Sequence, residues 1–214
     1  MPDGELPSDW QSIAALVDAE WIAAQALALV EIPSVTMDEA AVCALYEVQL
    51  RELGLEVDVR EVSPGRSNLY ARIPGTGSGP GLILNGHLDT IPICAAWPPG
   101  RDGDRIVGRG AADMKGGMAA ILGAARALLA SGFRLRGDLW LTAVVGHEEP
   151  IAAKDGPLAF VDDLRAGRIG GERILIAEGR DALWVMSMGS MVFTIRMVSD
   201  RGGRHTQYVP LAEN

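Results

Sequence analysis

The segment GLILNG, residues 81–86, is apolar on both faces and runs directly into His87. A strand of this composition suits the centre of a sheet that other elements cover on each side. Two more apolar runs, DLWLTAVV (138–145) and RILIA (173–177), have the same character, and a helical stripe precedes each of them. This alternation of helix and strand predicts an α/β fold.

The N-terminal part of the chain is predicted to be helical. One apolar stripe extends to Ile32, where Pro33 ends a single helix. Thr36 and Glu39 then have the spacing of a capping box ahead of a second helix, which ends at Gly54. Two helices are therefore expected before the first strand.

A change of pattern marks a predicted domain boundary near residue 183. Two strand-like runs, ALWVMSM (182–188) and MVFTIRMVS (191–199), follow one another without a helix between them. That arrangement is typical of an antiparallel sheet. We therefore predict one domain over residues 1–182 and the beginning of another over residues 183–214.

The charge of the chain excludes some classes of partner. Its 28 acidic and 19 basic residues give a net charge of −9, which disfavours binding to nucleic acid or to an anionic membrane. No apolar run approaches the roughly 20 residues of a membrane span, and the first residues lack the pattern of a secretion signal. A cytoplasmic protein is expected, in which Cys43 and Cys94 are free thiols.

Acidic and imidazole side chains follow the three apolar strands. They are His87 and Asp89 after the first, Glu148 and Glu149 after the second and Glu178 after the third, while Asp113 lies just ahead of a predicted helix. Singly, such residues are usually helix caps or local hydrogen-bonding groups. Together at the carboxyl edge of one sheet, so many carboxylates repel each other unless cations neutralise them. The sequence therefore predicts a divalent metal site.

The side-chain types favour zinc or a similar first-row ion, because an imidazole and carboxylates occur without a thiolate. Two ions could share one bridging carboxylate. Asp89, two residues after His87 on an extended segment, can hold the imidazole in orientation. Glu148 and Glu149 would point to opposite sides of a strand, so only a turn brings both to the site, one as ligand and one as base. His147 is a ligand by type, but local hydrogen bonding is the expected role.

Two other kinds of site are not supported. The glycine-rich segment GRGAADMKGG (108–117) lacks the Gly-Lys-Ser/Thr ending of a phosphate-binding loop and the spacing of a dinucleotide fingerprint. The chain also has no Gly-x-Ser-x-Gly elbow of a serine hydrolase. Nucleotide binding and serine catalysis are therefore not expected.

Four motifs, NGHLDT (85–90), GRGAADMKGG (108–117), GHEEP (146–150) and AEG (177–179), occur in an order and at intervals that resemble one enzyme family. It is the zinc-dependent amidohydrolase and exopeptidase family of acetylornithine deacetylase, succinyl-diaminopimelate desuccinylase, aminoacylase and glutamate carboxypeptidase. The resemblance implies an α/β catalytic domain with a mixed, mostly parallel sheet and helices on both faces. It also implies a smaller α+β lid domain that mediates homodimers, which would begin in residues 183–214.

The resemblance also implies a role for each site residue. His87 and Glu178 would bind one zinc ion, Glu149 would bind the other, and Asp113 would bridge the two. Asp89 would steady His87, and Glu148 would be the general base. His205 would stabilise the oxyanion, often in the active site of the partner subunit. Cobalt or manganese could replace zinc. A cis peptide bond between Asp113 and Met114 is expected as well. GHEEP departs from the family in the residues around its glutamate pair.

The implied function is hydrolysis of an amide bond in an N-acyl amino acid or small peptide, as in a deacetylase or desuccinylase. A carboxypeptidase-type metallopeptidase, a single-metal hydrolase and an inactive remnant that serves as a binding or dimerising module are the alternatives. Family members continue beyond the position of Asn214 and supply a late histidine to the second ion. The resemblance therefore implies that these 214 residues are the N-terminal portion of such a protein.

Overall fold

A computed structural model describes residues 8–93 and 98–178 of the chain. The predicted second domain, with His205, lies outside the described residues, as does Cys94. Cys43 is a buried free thiol, as expected. None of the helices in the described part of the chain is both long and apolar enough to cross a membrane.

The described chain begins with three helices and five strands in succession, and helix and strand alternate only after residue 115. The helices are α1 (Ser8–Ala14), α2 (Ala19–Glu31), α3 (Ala40–Glu52), α4 (Gly116–Ser131) and α5 (Asp155–Arg165). The strands are β1 (Val57–Ser63), β2 (Arg66–Ile73), β3 (Leu82–His87), β4 (Gly100–Asp102), β5 (Arg105–Val107), β6 (Leu139–Val144) and β7 (Arg173–Ile176). A kinked helical turn, Ala111–Lys115, leads directly into α4.

Five of the strands form one sheet in the order β1-β2-β6-β3-β7. The pairs β1–β2 and β2–β6 are antiparallel, whereas β3 runs parallel to both β6 and β7. The sheet is therefore mixed, as expected, with its parallel pairings around β3. Strands β4 and β5 form a separate hairpin that the sequence analysis did not predict.

Helices cover both faces of the sheet, as expected for this fold class. Alternate residues of β2, such as Leu69 and Ala71, point into the main core with the buried residues of α2, α3 and α4. The residue between them, Tyr70, points to the opposite face and packs with Phe160 of α5. The period of two along the strand thus supplies apolar side chains to two separate cores.

The single N-terminal helix predicted from the apolar stripe is wrong. The chain forms α1 and α2 instead, because the Asp18 side chain accepts the backbone N–H of Trp21 at 2.9 Å and caps a new helix. The predicted capping box is also wrong. Helix α3 begins at Ala40 without a side-chain cap, and the Thr36 and Glu39 side chains bind elsewhere.

Strand β7 differs from the buried strand that its apolar sequence predicted. It pairs only with β3 in the described sheet, and its side chains are exposed. Ile174 and Ile176, for example, are 48% and 55% exposed. An apolar composition therefore identified a strand here, but it did not establish that both faces of the strand are covered by the described residues.

Candidate metal centre

The site begins where parallel strands end at one edge of the sheet. His87 is the last residue of β3 and lies opposite Val144, the last residue of β6. Beyond them the Leu88 N–H donates to the Val144 carbonyl at 3.0 Å, so the two chains leave the sheet side by side. Residue Glu178 follows the neighbouring strand β7. Side chains far apart in sequence therefore meet at this edge.

The imidazole of His87 lies at the centre of the predicted site. Its side chain is 2% exposed, and its Nε2 atom lies 3.0 Å from Asp113 Oδ1, 3.4 Å from Glu148 Oε1 and 4.0 Å from Glu178 Oε2. Potential ligand atoms of His87, Asp113 and Glu178 all lie within 4.8 Å of one another. A second group of the same kind contains His87, His147 and Glu148. The structure therefore brings together four of the predicted site residues.

The donor set fits a divalent metal ion. With a proton on His87 Nδ1, that atom donates to the backbone carbonyl of Asp89 at 2.9 Å, and the Nε2 lone pair faces the carboxylates. This is the arrangement by which a histidine ligand is commonly oriented. Burial, and after it the charge of Asp113, raises the pKa of Glu148. A cation among these groups would relieve that repulsion.

Asp89 is fully buried, and its carboxylate faces the protein rather than the cluster of ligand atoms. It accepts hydrogen bonds from the backbone N–H groups of His147 at 3.0 Å and Glu148 at 2.8 Å, and from the Thr36 hydroxyl at 2.7 Å. Burial alone would raise the pKa of Asp89, but the His87 ring and these hydrogen bonds hold it well below its usual value. Asp89 is therefore a buried anion that joins His87 to the next turn.

The GHEEP segment forms a turn, as expected, but of its two glutamates only Glu148 joins a potential ligand group among the described residues. The chain reverses after β6 at Gly146, which has a φ of +65°. Glu148 then reaches the His87 ring, whereas Glu149 is in neither of the potential ligand groups found among the described residues. The ring of His147 stacks on that of His87 with 4.4 Å between centroids. Burial, and then the charge of His87, lowers the pKa of His147 to about 4.

Asp113 reaches the site from the kinked turn before α4. Its side chain is 57% exposed, and the peptide bond between Asp113 and Met114 is cis, as the resemblance implied. Met114 is fully buried, and its Sδ atom accepts the His87 backbone N–H at 3.2 Å. The residues on either side of this peptide bond therefore both contact His87.

Sequence reasoning missed a buried ionic network behind the GHEEP turn. Arg66 donates to both carboxylate oxygens of Glu39, at 2.8 and 2.9 Å, and also binds Asp155. Glu39 Oε1 in turn accepts the backbone N–H of Gly146 at 3.1 Å. These charges come from distant parts of the chain, so neither periodicity nor a short motif indicated the network.

A second unpredicted contact involves Lys115 of the GRGAADMKGG motif. Its side chain is buried, and its Nζ atom donates to the backbone carbonyls of Leu29 at 2.9 Å and Ile32 at 2.7 Å. Burial lowers the pKa of Lys115 to about 8. The lysine joins the turn that carries Asp113 to the C-terminal end of α2, so it has a structural role rather than a place among the ligand atoms.

Comparisons with known proteins bear on the same residues. The family model described as peptidase family M20/M25/M40 matches residues 83–191, just over half of the chain. The chain is 39% identical over 142 residues to succinyl-diaminopimelate desuccinylase of Gluconacetobacter diazotrophicus. The aligned region covers 62% of this chain and 34% of the relative. It is 34% identical over 211 residues to the enzyme of that name from Methylobacterium sp. (strain 4-46). This alignment covers 89% of this chain and 51% of the relative.

Among solved structures, a tripeptidase from Staphylococcus aureus matches with a TM-score of 0.62 and 22% identity, over 77% of this chain and 44% of that one. This likeness confirms the fold. The chain spans about half the length, or less, of the relatives that it matches.

The matched residues include the His87, Asp113, Glu148 and Glu178 side chains that the fold brings together. The relatives are hydrolases by name, and the family is metal-dependent, in agreement with the potential ligand groups at the sheet edge. The chain belongs to peptidase family M20/M25/M40.

Proposed function

We propose that this chain carries the metal centre of a hydrolase that cleaves the amide bond of an N-acyl amino acid or small peptide. The observation that supports the proposal most strongly is the set of three carboxylates that face Nε2 of the buried His87 imidazole. Such a cluster is unfavourable without a cation and is suited to one.

Zinc is the proposed ion, with cobalt or manganese as substitutes, because the donors are imidazole and carboxylate. His87 and Glu178 would hold one ion, Asp113 would bridge to a second, and Glu149 would bind that second ion. The role of Glu149 rests on the family resemblance, because Glu149 is in neither potential ligand group among the described residues. When bound, the ion would act as a Lewis acid, which polarises the substrate carbonyl and lowers the pKa of a coordinated water.

Glu148 is proposed as the general base. Its pKa is raised by burial and by the charge of Asp113, which makes its carboxylate a better proton acceptor. It would take a proton from the attacking water and later donate that proton to the leaving nitrogen. The products are a carboxylic acid and an amine.

The substrate class rests on the relatives. Succinyl-diaminopimelate desuccinylase and tripeptidase are names for enzymes that act on an acylated amino acid and on a peptide, respectively. We propose the first class for this chain, in keeping with the two desuccinylases described above, with a carboxypeptidase-type activity as the alternative. A homodimer, an oxyanion role for His205 and a cytoplasmic location belong to the same proposal.

The test is hydrolysis of N-succinyl, N-acetyl and N-formyl amino acids and of dipeptides by the full-length protein, after chelation and again after zinc is restored. Zinc-dependent turnover of one of these classes is expected. Glu148→Gln should lower kcat by at least about 100-fold without loss of bound zinc. Glu52→Gln, which changes an exposed glutamate at the end of α3, is the control and should retain activity. Absence of turnover by the wild type with zinc bound would instead favour a binding or dimerising module.

A further inference from the structure

Five consecutive backbone N–H groups after β6, those of residues 145–149, each donate to a side-chain oxygen. The acceptors, in chain order, are Asn68 at 3.1 Å, Glu39 at 3.1 Å, Asp89 at 3.0 Å, Asp89 again at 2.8 Å and Thr36 at 3.2 Å. A turn of this kind has no regular backbone partners, so side chains take the place of a strand or helix. The shape of the turn is therefore determined by residues outside it.

Thr36 differs from the other acceptors because its single hydroxyl accepts one of these N–H groups and also donates to a second acceptor, Asp89. It donates its proton to Asp89 Oδ2 at 2.7 Å and accepts the Glu149 N–H at 3.2 Å. Thr36 is only 6% exposed, so water does not readily substitute for either contact. One oxygen atom thus joins the Asp89 carboxylate to the backbone of Glu149. The backbone carbonyl of the same aspartate lies 2.9 Å from Nδ1 of the His87 ring.

The backbone around Thr36 is itself held against the segment that follows His87. The Thr36 N–H donates to the Thr90 carbonyl at 3.0 Å, and the Thr90 N–H donates to the Ser34 carbonyl at 2.8 Å. The connection between α2 and α3 is therefore docked beside residues 88–90, and the Thr36 hydroxyl has a defined position.

We propose that Thr36 is a positioning residue of the metal centre, which sets the place of Glu149 relative to His87 through the Asp89 carboxylate. The inference rests on the proposed function. Without the hydroxyl, the Glu149 N–H loses its acceptor and Asp89 Oδ2 keeps only the Glu148 N–H as a donor, so the turn is free to shift. Glu149 then fails to present its carboxylate to the second ion.

The experiment compares Thr36→Val, which keeps the shape and removes the hydroxyl, with Thr36→Ser, which keeps the hydroxyl. Ser34→Ala is the matched control, because it removes a buried hydroxyl from the same connection without touching Asp89 or the turn. For each variant, zinc affinity is measured by competition with a chelator, and kcat and KM are measured with the best substrate. The thermal stability of each variant is measured as well.

Thr36→Val should weaken zinc binding and lower kcat by about 10- to 100-fold, the usual effect of removing a group that orients metal ligands. The zinc affinity and kcat of Thr36→Ser and Ser34→Ala should stay within about threefold of the wild-type values. This holds even where the melting temperature of a variant falls. Equal losses in Thr36→Val and Ser34→Ala, or no loss in Thr36→Val, overturn the role of Thr36. A wild type that neither binds zinc nor hydrolyses any substrate overturns the proposed function itself.

Discussion

A single buried carboxylate connects most of the candidate site at the level of individual residues. Asp89 lies next to the His87 ring, accepts two backbone N–H groups of the GHEEP turn and accepts the Thr36 hydroxyl. A buried anion is unfavourable unless it is paired and hydrogen-bonded, and here each oxygen has donors. The Asp89 carboxylate therefore stabilises the fold where the His87 segment, the GHEEP turn and Thr36 meet.

The first prediction concerns the charge of Asp89. In Asp89→Asn the amide NH₂ faces a backbone N–H donor, so the free energy of unfolding should fall by about 2 kcal/mol. The native pKa is depressed, so this stabilisation is fully present above the unfolded value of about 3.9 and is lost only as the pH falls through the lower native pKa. Urea denaturation of chelated protein should show this difference between wild type and variant at pH 7, and it should be at least as large at pH 5, because, despite the opposing effect of burial, Asp89 also raises the pKa of His87.

Asp104→Asn provides the control for this measurement, because Asp104 is exposed in the turn between β4 and β5. It should change the free energy of unfolding by less than about 0.5 kcal/mol. A difference between wild type and Asp89→Asn that disappears between pH 7 and pH 5 would contradict a strongly depressed pKa.

At the scale of elements, buried charges hold loops in place where the sheet and helices end. The Arg66 side chain of β2 is 5% exposed and that of Glu39, just before α3, is fully buried. Their pair contacts Gly146 on one side and Asp155 at the start of α5 on the other. Three elements and the GHEEP turn therefore meet at this ion pair.

The second prediction follows from that burial. Arg66→Met leaves the Glu39 carboxylate buried without its partner, which should lower the free energy of unfolding by about 3 to 5 kcal/mol. Combining it with Glu39→Gln should recover part of the loss, because no unpaired charge then remains at that position. Arg165→Met, which removes a pair whose members are 77% and 73% exposed, should cost well under about 1 kcal/mol in the same assay. A similar fall in the free energy of unfolding for Arg66→Met and Arg165→Met would contradict a stabilising role for the buried ionic network.

Local sequence patterns predicted the elements better than their ends and connections. Apolar runs identified β3, β6 and β7, and the helical stripe before Gly132 identified α4. The break at Asp18 was missed because the apolar stripe is continuous across it, and only the side-chain cap divides the helix. Thr36 and Glu39 have the spacing of a cap, but the tertiary contacts with Asp89 and Arg66 determine where they bind.

In the whole molecule, the carboxyl edge of the sheet gathers its acidic side chains around one histidine. Types and positions of the candidate ligands were predictable, since residues after parallel strands meet at one edge. What was not predictable is the outer layer, namely Thr36, Glu39 and Arg66, because hydrogen bonds across more than 25 residues leave no local pattern. A carboxylate such as Glu149 also depends on the exact path of a turn, which alternation along a strand does not give.

The most direct test of the account is the zinc affinity of the purified protein, measured by competition with a chelator for the wild type, His87→Ala and His147→Ala. The two imidazoles stack on each other, but within residues 8–93 and 98–178 only His87 Nε2 faces three carboxylates. His87→Ala should weaken zinc binding by more than about 100-fold, and His147→Ala by less than about tenfold. Zinc binding by His87→Ala that equals the wild type would contradict a metal centre at this edge of the sheet.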